Sequence, residues 1–209
     1  MLNRIAKKPR KQATQNRSRA TVAALIEATA RILTSEGFDK ASTNRIAEVA
    51  GVSVGSLYQY FPSKEALVLA VAERHRQDIL RVVGDVLEEI DGLSLEAAVG
   101  RLVTVAIEGH RVDPELHRVL AEQIPRTGLL EQVDSAFGEA QAVFRAYLEN
   151  QRDDLGPIDL DLATFVCTTS IEALAHNAVL HNPDIIGNDA AKNLVADATR
   201  MIIGYLKRP

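Results

Sequence analysis

The chain has a single cysteine, Cys167, and that scarcity excludes whole classes of protein. A disulfide framework needs paired thiols, and a structural zinc site built on thiolates needs several. A lone thiol suits a reducing compartment, so a cytoplasmic location is expected. Also missing is any run of 18 or more uncharged apolar residues, so no segment reads as a membrane span and no membrane partner is expected. The basic N-terminus leads into no apolar stretch, and no secretory leader is expected. No strand alternation, internal repeat or low-complexity tract stands out. What remains is 209 residues, 46% of them hydrophobic, enough to bury real cores.

Charge is unevenly spread. Up to Lys64 the chain carries 11 Lys and Arg against 4 Asp and Glu; beyond it the balance is 13 against 24. A net of +7 at one end of a chain whose overall charge is -4 suits a polyanion-binding head on an acidic body. A flexible basic arm over residues 1–17 would account for part of the same signal.

The periodicity is helical almost throughout. In "RSRATVAALIEATARILTSEGF", Val22, Leu25, Ile26, Ala30 and Leu33 recur at three- and four-residue spacing and mark one buried stripe. Gly37 ends that helix, with Phe38 expected to fold back on Leu33 in a Schellman motif. A short helix over 43–50 follows, capped by Ser42 or Thr43. A turn at Gly51, a second short helix over 54–60 and a stop at Pro62 come next. Ser63 caps a long helix beyond. Further helices are expected near 94–111, 115–124, 129–152, 160–181 and 189–207, separated by the "DP", "PRTG", "GP" and "NP" breakers. The expected fold is all-α: a three-helix helix-turn-helix head over 18–64, and a larger helical body over 65–209.

The segment "TNRIAEVAGVSVGSLYQYFPSKEAL" has the build of a helix-turn-helix. Ala47 is the small residue at the helix crossing, Gly51 the turn, and Ile46, Ala50, Val52, Leu57 and Tyr60 the packing set. Val54, Gly55, Ser56, Tyr58 and Gln59 then face outward. Small residues at the start of the second helix let its backbone approach base edges, with Gln59 able to reach a base and the Ser56 and Tyr58 hydroxyls able to reach phosphates. Lys64, at a helix N-terminus, suits a phosphate. An αα-hairpin inside a bundle would share the spacing, but not the basic charge upstream.

These residues, with "ILTSEGFDKAS" before them, closely resemble the DNA-binding signature of the TetR family of transcriptional regulators. The matching elements are a Thr, an Ile-Ala pair, an Ala-Gly-Val-Ser turn, a Leu-Tyr-x-Tyr-Phe recognition helix and a Ser-Lys-Glu-Ala-Leu helix start, over roughly residues 18–72. The resemblance implies phosphate contacts from Thr43, Ser56 and Lys64. It implies that Asn44, Val54, Gly55 and Gln59 face bases and that Tyr58 and Tyr60 contact backbone or base. Arg45 and Ser53 belong to the same candidate surface. It further implies a double-stranded DNA operator as partner, a homodimer formed through the last two helices, and a small-molecule effector pocket in the body.

Beyond the head, Phe137, Gln141, Phe144, Phe165, Thr169, Glu172 and His176 are the candidate effector residues, able to converge from two helices. An aromatic stripe at helical spacing is also what a plain core looks like. Cys167 and His176 lie nine residues apart, about 13 Å of helix rise, too far for a nucleophile and its base. His110 and His117 straddle a proline break, and His176 and His181 are five residues apart, neither being one helical turn. No enzyme, cofactor or metal site is therefore expected. The expected function is a ligand-responsive regulator, a repressor released from a palindromic operator by a small apolar or amphipathic effector. An activator, a ligand-independent regulator, or a helical enzyme or scaffold are the alternatives.

Overall fold

In a computed structural model, the chain is described over residues 16–127, 135–187 and 189–208, with the side chains at 16–17, 83–89, 91, 124–127, 135–137 and 139–140 outside the description. Among the described residues there are nine α-helices and no strand: α1 (Asn16–Glu36), α2 (Thr43–Val49), α3 (Val54–Tyr60), α4 (Lys64–Glu89), α5 (Leu95–His110), α6 (Pro114–Thr127), α7 (Ser135–Asn150), α8 (Leu160–His181) and α9 (Asp189–Leu206). Short 3-10 turns follow α4, α7 and α8. None of the described helices is long and apolar enough to cross a membrane. The expected arm over 1–17 falls outside the described residues except for Asn16 and Arg17, which open α1.

The helices form two compact units. The first takes α1 to α3, α4 as far as Arg76, and α6 from Glu115; the second takes the rest of α4, α5, α7, α8 and α9. This grouping does not follow a single cut at Lys64. Leu116 and Leu120 of α6 pack with Leu25, Ile32, Leu33, Ile46, Leu57, Phe61 and Leu67, and that shared apolar cluster ties α6 to the first unit. In the second unit, Val99 and Val103 of α5, Phe144 and Leu148 of α7, Cys167 and Ile171 of α8, and Ile202 and Leu206 of α9 make a separate core.

Breakers act mostly as expected. Pro114 opens α6, where its missing N–H costs nothing. Pro125 does not stop α6, which runs on to Thr127. Proline's φ is itself helical, so the helix continues through it at the cost of one N–H bond and of crowding against the carbonyl four residues back. Gly156 marks a close approach: its N–H donates to the Leu206 carbonyl at 2.9 Å, and a Cβ there would lie 2.0 Å from the Arg208 carbonyl oxygen.

The Schellman closure sits at Gly51. Its N–H donates to the Glu48 carbonyl at 3.1 Å, and the Val52 N–H donates to that of Ala47 at 3.0 Å. At Gly37 the N–H donates to the Ile32 carbonyl at 3.1 Å, and Phe38 packs on the first core. Both glycines have positive φ, +85° at Gly37 and +67° at Gly51. A Cβ at Gly51 would meet nothing within 4 Å, so a substitution there strains only the backbone. Gly51→Ala should therefore lower stability by about 1–2 kcal/mol, the left-handed cost for a residue with a Cβ. A thermal melt of Gly51→Ala indistinguishable from wild type would contradict the assignment of this turn.

Candidate nucleic-acid interface and effector site

The two short helices of the head are fixed by caps at both starts. Ser42 Oγ accepts the Arg45 N–H at 3.2 Å and Ser53 Oγ accepts the Ser56 N–H at 3.1 Å, each satisfying a donor that the first turn would leave open. Ser42, rather than Thr43, is thus the cap of α2. Ser63 does the same for α4, accepting from Ala66 at 3.3 Å. Ile46, Ala47, Leu57 and Tyr60 are buried, which sets the roll of both helices.

That roll leaves one continuous polar side. Asn44, Ser53, Gly55, Tyr58 and Gln59 are exposed, and Thr43, Arg45, Val54, Ser56 and Lys64 are half-buried. Gly55 leaves its stretch of α3 bare: a Cβ placed there would have the Ser53 hydroxyl as its nearest neighbour, at 3.9 Å. Thr43 Oγ1 lies 3.2 Å from the Tyr58 hydroxyl, joining the start of α2 to the middle of α3. The Ser53 and Ser56 hydroxyls are 2.9 Å apart.

Three residues sit differently from the others of the set. Tyr60 is only 8% exposed, with its hydroxyl 2.7 Å from Ser18 Oγ, so its ring belongs to the core rather than to the outer face. Arg45 is held by Glu36 at 2.9 Å and Glu48 at 3.0 Å. Lys64 donates to the Phe38 carbonyl at 3.0 Å and lies 3.8 Å above the Phe38 ring.

Among the described residues, the effector candidates of the second unit sit in different surroundings. Phe144 is fully buried, with Tyr147 stacked 6.3 Å away. Phe165 is 58% exposed, and Thr169 beside it is exposed. Gln141 Nε2 donates to Thr168 Oγ1 at 3.1 Å. The Phe137 side chain lies outside the described residues. An open groove of about 310 Å³ lies elsewhere in this unit, between α5 and α9, with Ile107, Arg111, Lys192 and Val195 in its walls.

Glu172 and His176 do come together, and a third residue joins them. Glu172 Oε1 lies 3.2 Å from Nε2 of His110, at the end of α5, so the carboxylate is met from another helix. The His110 and His176 rings are 5.6 Å apart and close to perpendicular. His181 stands 5.7 Å beyond His176. In the first unit, His75 Nε2 and His117 Nδ1 are 3.1 Å apart. Cys167 is buried and its thiol is pushed up to about 12 by desolvation, which makes it inert.

His110 Nδ1 donates to the Ala106 carbonyl at 2.8 Å. Nε2 can then meet a carboxylate favourably only by carrying a proton as well. Burial disfavours that charge, but the hydrogen bond and the negative charge of Glu172, with the Ala106 carbonyl, outweigh it and leave the pKa raised. Burial, then the charge of His110, lowers that of His176. A raised folded pKa means stability that is complete below about pH 6.5, the ordinary histidine value, and lost as pH rises through the folded value. The melting-temperature gap between wild type and Glu172→Gln should therefore be widest in mild acid and close in mildly alkaline solution. A gap independent of pH would contradict the pairing.

Residues 25–71 match the family described as bacterial regulatory proteins, tetR family, and residues 94–206 match the tetracyclin repressor-like C-terminal domain. The chain is 30% identical over 121 residues to the nucleoid occlusion factor SlmA of Haemophilus ducreyi, covering 57% of this chain and 56% of that protein. The chain thus spans little more than half the length of the SlmA relatives it matches. To the HTH-type transcriptional regulator RutR of Escherichia coli O157:H7 it is 29% identical over 171 residues, 78% of each chain. Among solved structures, the fatty acid degradation regulator FadR from Bacillus halodurans shares the fold with a TM-score of 0.65 at 18% identity, over 88% of this chain and 95% of that one. SmeT, the repressor of the Stenotrophomonas maltophilia multidrug efflux pump SmeDEF, does so with a TM-score of 0.63 at 20% identity, over 90% and 92%. One of the two family matches alone covers more than half of the sequence, and the chain belongs to the TetR family of bacterial regulatory proteins.

Proposed function

We propose that the chain is an operator-binding transcriptional repressor that acts as a homodimer and is released by a small-molecule effector. The observation that carries the reading is the outer side of α3, where Gly55 leaves the backbone bare and Tyr58 and Gln59 project from a helix whose opposite side, Leu57 and Tyr60, is buried. A helix so disposed can enter a major groove with its first turn closest to the bases. The basic balance up to Lys64 adds sequence-independent attraction to phosphate. RutR, named as a transcriptional regulator, and SmeT, named as a repressor, support the reading by analogy.

In this reading Gln59 reads a base, Thr43, Ser56 and Tyr58 bind phosphate or sugar, and Lys64 contributes a screened charge while bracing Phe38. Arg45 sets the local potential rather than gripping DNA, because two carboxylates already hold it. The effector acts on the second unit, with Glu172 as its polar anchor. For a hundredfold loss of operator affinity it must favour the released arrangement by about 2.7 kcal/mol. The effector is small and apolar or amphipathic.

The dimer forms through α8 and α9. Leu162 is 54%, Phe165 58% and Met201 51% exposed, an apolar surface that one isolated chain would leave wet. Pairing it with a second copy makes an isologous four-helix contact and sets two recognition helices about one DNA turn, roughly 34 Å, apart. Phe165→Glu should give a folded monomer by sedimentation at micromolar concentration, whereas wild type sediments as a dimer. An unchanged dimer in Phe165→Glu would move the interface elsewhere.

Gel shifts on DNA upstream of the chain's own gene test the operator reading. Affinity should fall with salt on a log–log slope of roughly -5 to -9 for the dimer. Gln59→Ala should cost about 1–3 kcal/mol and relax preference at one base position per half-site, leaving the slope alone. Lys64→Ala should weaken binding to every sequence and flatten the slope by about one per subunit. A slope near zero would overturn the reading.

A further inference from the structure

The cluster of His110, Glu172 and His176 has more order than effector anchoring requires. It draws on two helices, α5 and α8, within one unit. His110 is 6% exposed at its side chain and Glu172 46%, so one ligand is rigidly buried while the other opens a path from solvent. The Nδ1 bond to Ala106, 2.8 Å long, fixes the ring and turns Nε2 toward Glu172. An outer hydrogen bond from the second ring nitrogen to a carbonyl is the support that metal-bound histidines ordinarily have.

The spacings suit coordination. Donors about 2.0–2.1 Å from a tetrahedral ion stand about 3.3 Å from one another, and two imidazoles on one such ion hold their centroids about 5 Å apart. Here His110 Nε2 and Glu172 Oε1 are 3.2 Å apart, and the His110 and His176 centroids are 5.6 Å apart. Ligand nitrogens of the two histidines lie within 4.8 Å of each other, so a modest turn of the half-buried His176 completes the set.

We propose that His110, Glu172 and His176 form a binding site for one divalent transition-metal ion of the zinc type. Two imidazoles and one carboxylate favour zinc, cobalt or nickel over magnesium or calcium, which prefer all-oxygen shells. Three protein ligands leave a fourth position for water or for a polar group of an effector. The ion takes the place of the proton that otherwise sits between His110 Nε2 and the carboxylate. Cys167, on the core side of α8, supplies no ligand. The inference deepens the effector reading of the same residues, since the ion would hold the polar group of an amphipathic effector at its fourth position. It is tested without DNA, so its failure leaves the operator reading standing.

The test uses the untagged full-length chain, stripped with a chelator and titrated with zinc and, for its visible bands, with cobalt. One ion per chain should bind at micromolar concentration. The cobalt complex should show ligand-field bands of a tetrahedral N/O site and no thiolate charge-transfer band. His176→Ala and Glu172→Gln should each weaken binding by at least about tenfold, no less than the loss of an outer-shell partner costs. Both positions are partly exposed, so these variants keep the test decisive if His110→Ala fails to fold. No stoichiometric binding, a thiolate band, or wild-type affinity in both variants would overturn the proposal.

Discussion

Two helices of seven residues each carry the head's outer polar face, and helices that short have no stability of their own in water. Their existence depends on being pinned. Ile46, Ala47, Leu57 and Phe61 lie at 0 or 1% exposure in the first core, and the Ser42 and Ser53 caps and the Gly51 turn close the ends between them. Burial of Leu57 and Tyr60 uses one side of α3, and the helical period then leaves Gly55 and Gln59 no place but the outside. The outward face is therefore a consequence of the core. A substitution that loosened Leu57 would blur the position of Gln59 before it unfolded the unit.

The head was legible because its determinants are local. A cap, a left-handed glycine and a small residue at a crossing each act within four or five positions, and all three stand in the sequence at the spacing the structure uses. What stayed hidden was non-local. Arg45 bonds Glu36, nine residues back, and Lys64 bonds the Phe38 carbonyl, 26 residues back; nothing in their immediate neighbourhood announces either. Tyr60 could be read both as packing and as contact residue, and its hydroxyl bond to Ser18, 42 residues away, goes with the buried role. Ser18 itself gave no signal.

The body was legible in its helices but not in the cluster of His110, Glu172 and His176. Pairs one turn apart on a single helix include neither His110 with Glu172 nor His110 with His176, because 62 residues and two intervening helices separate the first pair. His110 carries one faint local cue: it is the basic residue in the last turn of α5, where a helix end favours a cation. Phe144 and Phe165 looked alike as aromatic candidates. The structure separates them completely, one inside the core and the other more than half exposed.

The behaviour of α8 follows from its lack of a polar side. Apolar residues run all round it, so burying Ala163, Cys167, Ile171 and Ala175 against the second core still leaves Leu162 and Phe165 facing out. At 100° per residue, Phe165, Thr169, Glu172 and His176 fall on one stripe. On that stripe Phe165 and Thr169 are exposed, while Glu172 and His176 are half-buried. One stripe thus carries an apolar patch towards the start of the helix and a polar cluster further along it. A second copy covering the patch and a ligand held by the cluster would act on the same rigid element, less than four turns apart. In the proposed reading, a ligand at Glu172 and His176 would then reach a subunit contact on that patch by turning or sliding a single helix, with no longer chain of side chains needed to carry the signal.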